Sequence, residues 1–114
     1  MTSNPDTLAR AADTGTADLK ELIAYVDAHY AFTPTAFVNG DTRNAAGENN
    51  GSCKLFAFAR AQGWSKERTL GAFGHFYFDH VLKHPEGTDH RNIRNFMTYG
   101  WDGIRFEGEA LKPR

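Results

Sequence analysis

The sequence predicts a mainly helical α+β domain, with about four helices and a small two-stranded element around an aromatic-rich core. Apolar residues recur at helical spacing in several segments, and Gly or Pro ends most of these segments. Two shorter segments have the β-branched and aromatic character of strands. The chain has nine Phe, four Tyr and two Trp, so aromatic rings dominate its apolar content. With 114 residues it can bury such a core without disulfides or metal.

Composition divides the chain into an N-terminal tail and one domain. Residues 1–17 are rich in Thr, Ala, Ser and Asn and hold few large apolar residues, so we expect a disordered tail. Residues 18–114 contain no internal repeat and no second compositional boundary. We therefore expect these residues to form a single domain.

The first two helices are predicted on either side of a polar loop. Helix one is expected over 18–29, with Thr16 or Asp18 as the residue that caps its first turn. Its apolar stripe has the spacing of one helical face and consists of Leu19, Leu22, Ile23 and Val26. Helix two is expected over 52–62, is apolar nearly all round, and ends at Gly63. Residues 39–52 between them are rich in Asn and Gly and are predicted to form a long loop.

The second half of the domain is predicted to hold two more helices and a strand. Helix three is expected over 65–83 with Ser65 as its N-cap, and Pro85 follows its end. Helix four is expected to begin after Asp89 as N-cap and to end at Gly100. A short strand over 104–106 is expected to pair with an extended segment over 35–38, which a turn at Asn39-Gly40 would end.

Seven segments along the chain carry a family resemblance. They are 37–40 (FVNG), 46–54 (AGENNGSCK), 73–74 (FG), 81–85 (VLKHP), 87–90 (GTDH), 92–96 (NIRNF) and 100–104 (GWDGI). Together and in this order they resemble the HopJ type III effector family over roughly residues 20–111. The resemblance implies a bacterial protein that is cytoplasmic, or that is secreted into a host cell if it is a true effector. It implies no catalytic residue and no cofactor.

Composition argues against several classes of protein. A net charge of −1 disfavours nucleic acid as the partner, although basic and aromatic residues interleave near the C-terminus. One cysteine cannot form an internal disulfide. No apolar run approaches the roughly 20 residues of a membrane span. We expect a soluble monomer that uses no cofactor and does not act on membranes.

A cysteine-dependent hydrolase or acyltransferase is one alternative function. Cys53 is predicted in the first turn of a helix, where the helix dipole and Lys54 would lower the pKa of its thiol. His84 or His90 would act as the general base, with Asp89 orienting the ring. The plainer interpretation is that Cys53 packs as a small buried residue.

A metal-binding protein is a second alternative. His80 and His84 are four residues apart on a predicted helix, and His90 follows after a turn. Val81 stands where the zinc-protease motif requires Glu, so spacing is the sole support for this site. The plainer interpretation is a set of solvated histidines, and we predict no metal ligands.

The leading hypothesis is a binding or interaction module whose partner is a protein or a small anionic ligand. The starts of helices two and four would converge on one anion-friendly pocket, because helix N-termini present free amide donors. The candidate ligand-binding residues lie at or near these two helix starts, in the loop, or in the basic and aromatic C-terminal segment. They are Asn39, Asn44, Asn49, Asn50, Gly51, Ser52, Lys54, Asn92, Arg94 and Trp101.

Overall fold

The computed structural model describes residues 4–114, which form five α-helices, a π-helical segment, a 3₁₀ turn and five short strands. The helices are α1 (Pro5–Thr14), α2 (Leu19–His29), α3 (Asn50–Gln62), α4 (Lys66–Ala72) and α5 (Arg91–Tyr99), with the π-helical segment at Phe76–Val81 and the 3₁₀ turn at Gly100–Gly103. The strands are β1 (Tyr30–Phe32), β2 (Phe37–Asn39), β3 (Thr42–Asn44), β4 (Ile104–Phe106) and β5 (Leu111–Pro113). The predicted α+β class is confirmed, and α2, α3 and α5 match predicted helices.

Helix α3 lies at the centre of the core. Its side chains Leu55, Phe56 and Phe58 are fully buried. The Phe56 ring has four aromatic neighbours at centroid distances of 4.9 to 6.3 Å, namely Phe37, Phe73, Phe96 and Trp101. Burying one such ring contributes about 1.5–3 kcal/mol. The aromatic-rich core is therefore confirmed, and it is organised around one ring.

A three-stranded antiparallel sheet has the order β3-β2-β4. The predicted pairing of the two extended segments is confirmed as β2–β4, with Val38 opposite Arg105. A tight turn also forms at the predicted place, where Gly40 has a φ of +64°. A Cβ at this position would collide with the ring of Tyr99, so both backbone conformation and space require glycine. Strand β3 lies inside the stretch predicted as loop, and Val38 faces Arg43 across this hairpin.

A second antiparallel pair, β1–β5, joins the end of α2 to the C-terminal segment. Ala31 lies opposite Lys112 in its register. Each strand has three residues, and the pairing spans most of the chain. Such short strands have almost no periodicity, so the sequence does not predict this sheet.

Residues 4–17, which composition assigns to a disordered tail, form α1 and its connection to α2 in the structure. The Asn4 side chain accepts a hydrogen bond from the amide of Thr7, which completes a capping box. Leu8 and Ala12 of α1 are buried, and a Cβ on Gly71 would collide with the carbonyl of Ala12. Because Gly71 has no Cβ, α1 and α4 can approach closely. Packing against α4 therefore orders α1, although α1 has few large apolar residues. The first three residues of the predicted tail lie outside the described range.

The prediction of one continuous helix over 65–83 is wrong. Helix α4 ends at Ala72, and Gly74 has a φ of +64° that no α-helix accommodates. A Cβ on Gly74 would lie 2.5 Å from the carbonyl oxygen of Ala17, so the chain before α2 packs against this break. The following residues form the π-helical segment, where the amide of Leu82 bonds the carbonyl of Tyr77 five residues earlier.

Replacing Leu8 with Ala should lower the free energy of unfolding by about 2–3 kcal/mol, because the side chain is 5% exposed and packs in the core. Chemical denaturation measures this change. Arg10→Ala on the exposed face of the same helix is the control, and it should change stability by less than about 0.5 kcal/mol. Equal stability of Leu8→Ala and the wild type would mean that α1 does not dock in solution.

Candidate functional site

A pocket with a volume of about 450 Å³ lies where the N-termini of α3 and α5 meet the β2–β3 hairpin and the break after α4. Its lining mixes apolar and polar side chains. The apolar members are Leu19, Phe73, Phe76 and Ile93. The others are Thr42, Asn44, Asn49, Gly51, Ser52, His90, Arg91 and Asn92. The predicted convergence of the two helix starts on one pocket is therefore present in the geometry.

Both helices begin in the same unusual way. The N-cap residues Asn49 and His90 have left-handed backbone conformations, with φ of 53° and 49°. Neither side chain bonds an amide of the first helical turn. An α-helix leaves its first amides without a partner inside the helix, and the macrodipole makes this end positive. The pocket is thus bordered by two helix ends that favour negative charge.

Asp89 is not the N-cap of α5, contrary to the sequence prediction. His90 takes that position, and the carboxylate of Asp89 accepts a 2.8 Å hydrogen bond from Nη2 of Arg94. This bond holds the pKa of Asp89 below its ordinary value. Arg94 also donates to the carbonyl of His84 at 2.8 Å. Arg94 therefore fastens the loop before α5 and does not line the pocket.

Four asparagines form a hydrogen-bond network beneath the pocket. Asn44 and Asn92 bond each other twice, through Asn44 Nδ2 to Asn92 Oδ1 and Asn92 Nδ2 to Asn44 Oδ1, both at 3.1 Å. Asn49 Nδ2 donates to Asn44 Oδ1 at 2.7 Å, and Asn39 Nδ2 donates to the main-chain carbonyl of Asn92 at 2.8 Å. These bonds join β2, β3 and the starts of α3 and α5, so they fix the relative positions of the elements around the pocket.

A fifth asparagine fixes the hairpin turn to α5. Asn95 Nδ2 lies within hydrogen-bond distance of the Asn39 carbonyl at 2.9 Å, Thr42 Oγ1 at 3.0 Å and Asp41 Oδ1 at 3.1 Å. Thr42 lines the pocket and Asp41 lies 4.0 Å from Arg91 Nη1. The turn therefore reaches the pocket rim in a defined orientation.

Cys53 is a packing residue, and the predicted low-pKa thiol is absent. The side chain is 1% exposed and does not line the pocket. Burial raises the pKa of the thiol, which outweighs the lowering effects of the Thr35 carbonyl and of Lys54. Lys54 Nζ forms an ion pair with Asp27 at 2.8 Å and lies over the ring of Phe32, away from the pocket. The cysteine-enzyme alternative thus loses its nucleophile.

The proposed histidine metal site does not form. His80 Nδ1 and His90 Nε2 lie 3.1 Å apart, while His84 is exposed and contributes its carbonyl to Arg94. Within residues 4–114, no group of three or more His, Cys, Asp or Glu side chains is arranged to hold a metal ion. The geometry of the described residues therefore does not favour the metal-binding alternative.

Half of the predicted ligand-binding residues line the pocket: Asn44, Asn49, Gly51, Ser52 and Asn92. Asn39 is buried and bonds Asn92, while Asn50 is exposed at the first position of α3 outside the lining. Trp101 Nε1 donates to the Trp64 carbonyl, and its ring packs on the core.

Sequence reasoning missed half of the lining residues: Leu19, Thr42, Phe73, Phe76, Arg91 and Ile93. Leu19, Phe73 and Ile93 have the periodicity of core-facing residues, which does not distinguish a pocket wall from a packed interior. Arg91 belongs to the basic and aromatic C-terminal segment. Its position directly after the N-cap of α5 is the signal that could have placed it at the pocket.

Comparison with known proteins gives one family and one solved structure. Residues 6–111 match the family profile described as HopJ type III effector protein. The crystal structure of the unknown function protein VPA0580 is similar to this chain, with a TM-score of 0.92 and 46% identity, covering 100% of this chain and 97% of that one. No curated protein matches the chain significantly. None of the helices among residues 4–114 has the length and hydropathy of a transmembrane span.

Replacing Asn92 with Ala should lower the free energy of unfolding by about 1–3 kcal/mol, because it removes the buried side-chain hydrogen bonds of Asn92 with Asn39 and Asn44. Among the described residues, Asn44 Nδ2 then keeps only a 3.5 Å contact with the carbonyl of Phe37. Asn50→Ala removes the same side chain from an exposed position and should change stability by less than about 0.5 kcal/mol. Urea denaturation of both variants makes the comparison. Similar stabilities would show that the network contributes little.

Cys53 should react with iodoacetamide roughly a hundredfold or more slowly in the native protein than in the unfolded chain, because reaction requires local opening.

The raised pKa of the Cys53 thiol also makes the stability of the protein depend on pH. The free energy of unfolding should fall as pH rises above the ordinary thiol pKa of about 8.5, since the unfolded thiol ionises first. Cys53→Ala should remove that part of the slope. Rapid native alkylation near neutral pH would contradict the burial.

Proposed function

The chain belongs to the HopJ type III effector protein family, and we propose that it is a binding module whose pocket takes a small ligand with an anionic group and an apolar body. The observation that carries the proposal is the meeting of two helix N-termini in one pocket of about 450 Å³. Ligand sites of proteins typically have volumes of about 300–1,000 Å³.

The anionic group is supported by the two helix starts and by one basic side chain. Gly51 and Ser52 in the first turn of α3 and Asn92 in the first turn of α5 line the pocket. In neither helix does the N-cap side chain accept a hydrogen bond from a first-turn amide. Arg91 lines the same pocket, and its side chain is 61% exposed, so its guanidinium can reach a ligand. Backbone amides, helix dipoles and a guanidinium all favour carboxylate, phosphate or sulfonate groups.

The apolar body is supported by the hydrophobic part of the lining. Phe73 and Ile93 are buried residues that reach the pocket from the core, and Phe76 is half-buried beside them. Leu19 adds an aliphatic side chain from the start of α2. Planar or aliphatic groups of a ligand gain free energy by displacing water from such surface.

The asparagine network supports recognition by a preformed site. Asn44 and Asn92 are both pocket-lining and buried, and each fixes the amide orientation of the other. A site whose polar groups are already held in place loses less conformational entropy when a ligand binds. We therefore expect a tight fit for a small molecule, and little rearrangement of the backbone around it.

Family membership also supports export, and we propose that the chain is delivered by type III secretion. Fusion of residues 1–20 to a reporter enzyme tests this directly. Reporter activity outside a secretion-competent bacterium, and its loss in a strain without the secretion apparatus, is the expected result. A reporter that stays inside both strains would contradict delivery.

Binding of the fluorescent anion 8-anilinonaphthalene-1-sulfonate tests the pocket. We expect saturable binding that Arg91→Gln weakens about three- to tenfold, because one positive charge near the sulfonate is lost. Arg60→Gln removes an exposed arginine from the last turn of α3, far along the helix from the pocket, and should leave the affinity unchanged.

The uncharged analogue N-phenyl-1-naphthylamine separates the two parts of the proposal. It shares the aromatic body of the dye and lacks the sulfonate, so Arg91→Gln should not weaken its binding. Equal losses for both probes would contradict anion recognition. Absence of saturable binding by the anionic dye to the folded protein would contradict the pocket as a ligand site.

A further inference from the structure

A cluster of imidazole and phenyl rings adjoins the pocket at the π-helical segment. Phe76 lies at its centre, with ring centroids 4.2 Å from His75, 5.6 Å from His80 and 5.6 Å from His90. Phe76 and His90 also line the pocket. Of the histidines in this cluster, His90 therefore lines the candidate ligand site, and His80 contacts it through His90.

The contact between His80 and His90 holds a proton between two nitrogens. His80 Nδ1 and His90 Nε2 are 3.1 Å apart, so one nitrogen donates and the other accepts. When His80 donates, its Nε2 can take a further proton without disturbing this bond. The bond is then charge-assisted and stronger. A second added proton would place two N–H groups face to face, so the pair accommodates one positive charge.

The helix N-terminus decides which ring carries that charge. His90 is the N-cap of α5, where the positive end of the helix disfavours a cation. The charge therefore belongs on His80, which bonds directly to the pocket-lining His90. Imidazole is the side chain whose protonation generally changes between about pH 5 and 8.

Two carboxylates near the pair are engaged with basic partners. Asp89 Oδ2 is 3.9 Å from His90 Nε2, but this carboxylate is bonded to Arg94. Asp79 on the π-helical segment pairs with Lys83 at 3.5 Å. Further titratable or charged groups on these elements are His75 beside His80, Tyr77 on the π-helical segment, Arg91 on α5, Lys66, Glu67 and Arg68 on α4, and Asp18 and Lys20 at the start of α2.

We propose that the His80–His90 pair couples anion binding in the pocket to the uptake of one proton. This inference rests on the proposed function, because it concerns the same pocket and an anionic ligand. A positive charge on His80 attracts the anion, and the bound anion in turn stabilises the protonated pair by the same coupling free energy. The affinity for an anion therefore rises as pH falls, while the affinity for an uncharged ligand stays constant.

Titrations with the two dyes at about pH 7.5 and about pH 5.5 test this coupling across the range of imidazole protonation. We expect the anionic 8-anilinonaphthalene-1-sulfonate to bind roughly three- to tenfold more tightly at the lower pH, a size set by one charge at a distance of several ångströms. N-phenyl-1-naphthylamine should show no such change. Calorimetry in buffers of different ionisation enthalpy should detect proton uptake with the anionic dye.

Variants of the pair and of an outlying histidine identify the groups responsible. In His80→Asn the amide occupies the place of Nδ1 and keeps a hydrogen bond without titrating, so the pH dependence should disappear while binding at about pH 7.5 persists. His90→Asn suits the left-handed backbone at this position and removes the accepting nitrogen, with the same expected loss. His84→Gln changes an exposed histidine outside the cluster and should retain the wild-type pH dependence.

The outcomes separate this inference from the proposed function. Saturable dye binding with equal affinity at both pH values would overturn the proton coupling and leave the pocket as a ligand site. Tighter binding of both dyes at the lower pH would also overturn it, because acid loosening of the fold would then be the cause. Absence of binding at either pH would overturn the proposed function and the coupling together.

Discussion

The reciprocal amide pair between Asn44 and Asn92 is the constraint on which the arrangement of the candidate site depends. It bonds an edge strand to the first turn of α5, and Asn49 extends it to the start of α3. A buried amide without partners costs about 1–3 kcal/mol, so competing arrangements of these elements that break the pair are disfavoured. The two helix N-termini face one pocket because this pair permits few alternatives.

The candidate site also depends on two glycines, because they allow segments of backbone to pack closely around the break after α4. Gly71 lets α1 pack against α4, and Gly74 ends the helical path and contacts the chain before α2. The chain that follows forms the π-helical segment, which carries Phe76 to the pocket and His80 to His90. An Ala at position 74 would meet both a left-handed backbone and the carbonyl of Ala17.

Local signals made much of the fold predictable. The stop at Gly63 and the extended character of β2 and β4 follow from short-range patterns, as does Asp18 as one of two possible caps of α2, and the structure has each of them. The same patterns failed where tertiary contacts oppose local preference. Helix α1 has few large apolar residues, yet it docks through Leu8 and a glycine on its neighbour. No window of sequence contains that partner.

By itself, the sequence determined the α+β class, the aromatic core and the approximate positions of the two polar helix starts, because hydrophobic periodicity acts within a few residues. The environments of the side chains near those helix starts were decided by the tertiary structure. It buried Cys53 and raised the pKa of its thiol, turned Lys54 toward Asp27, and placed His80 against His90. These outcomes depend on contacts between distant segments, and the burial and electrostatic field at a side chain exist only once those segments have packed.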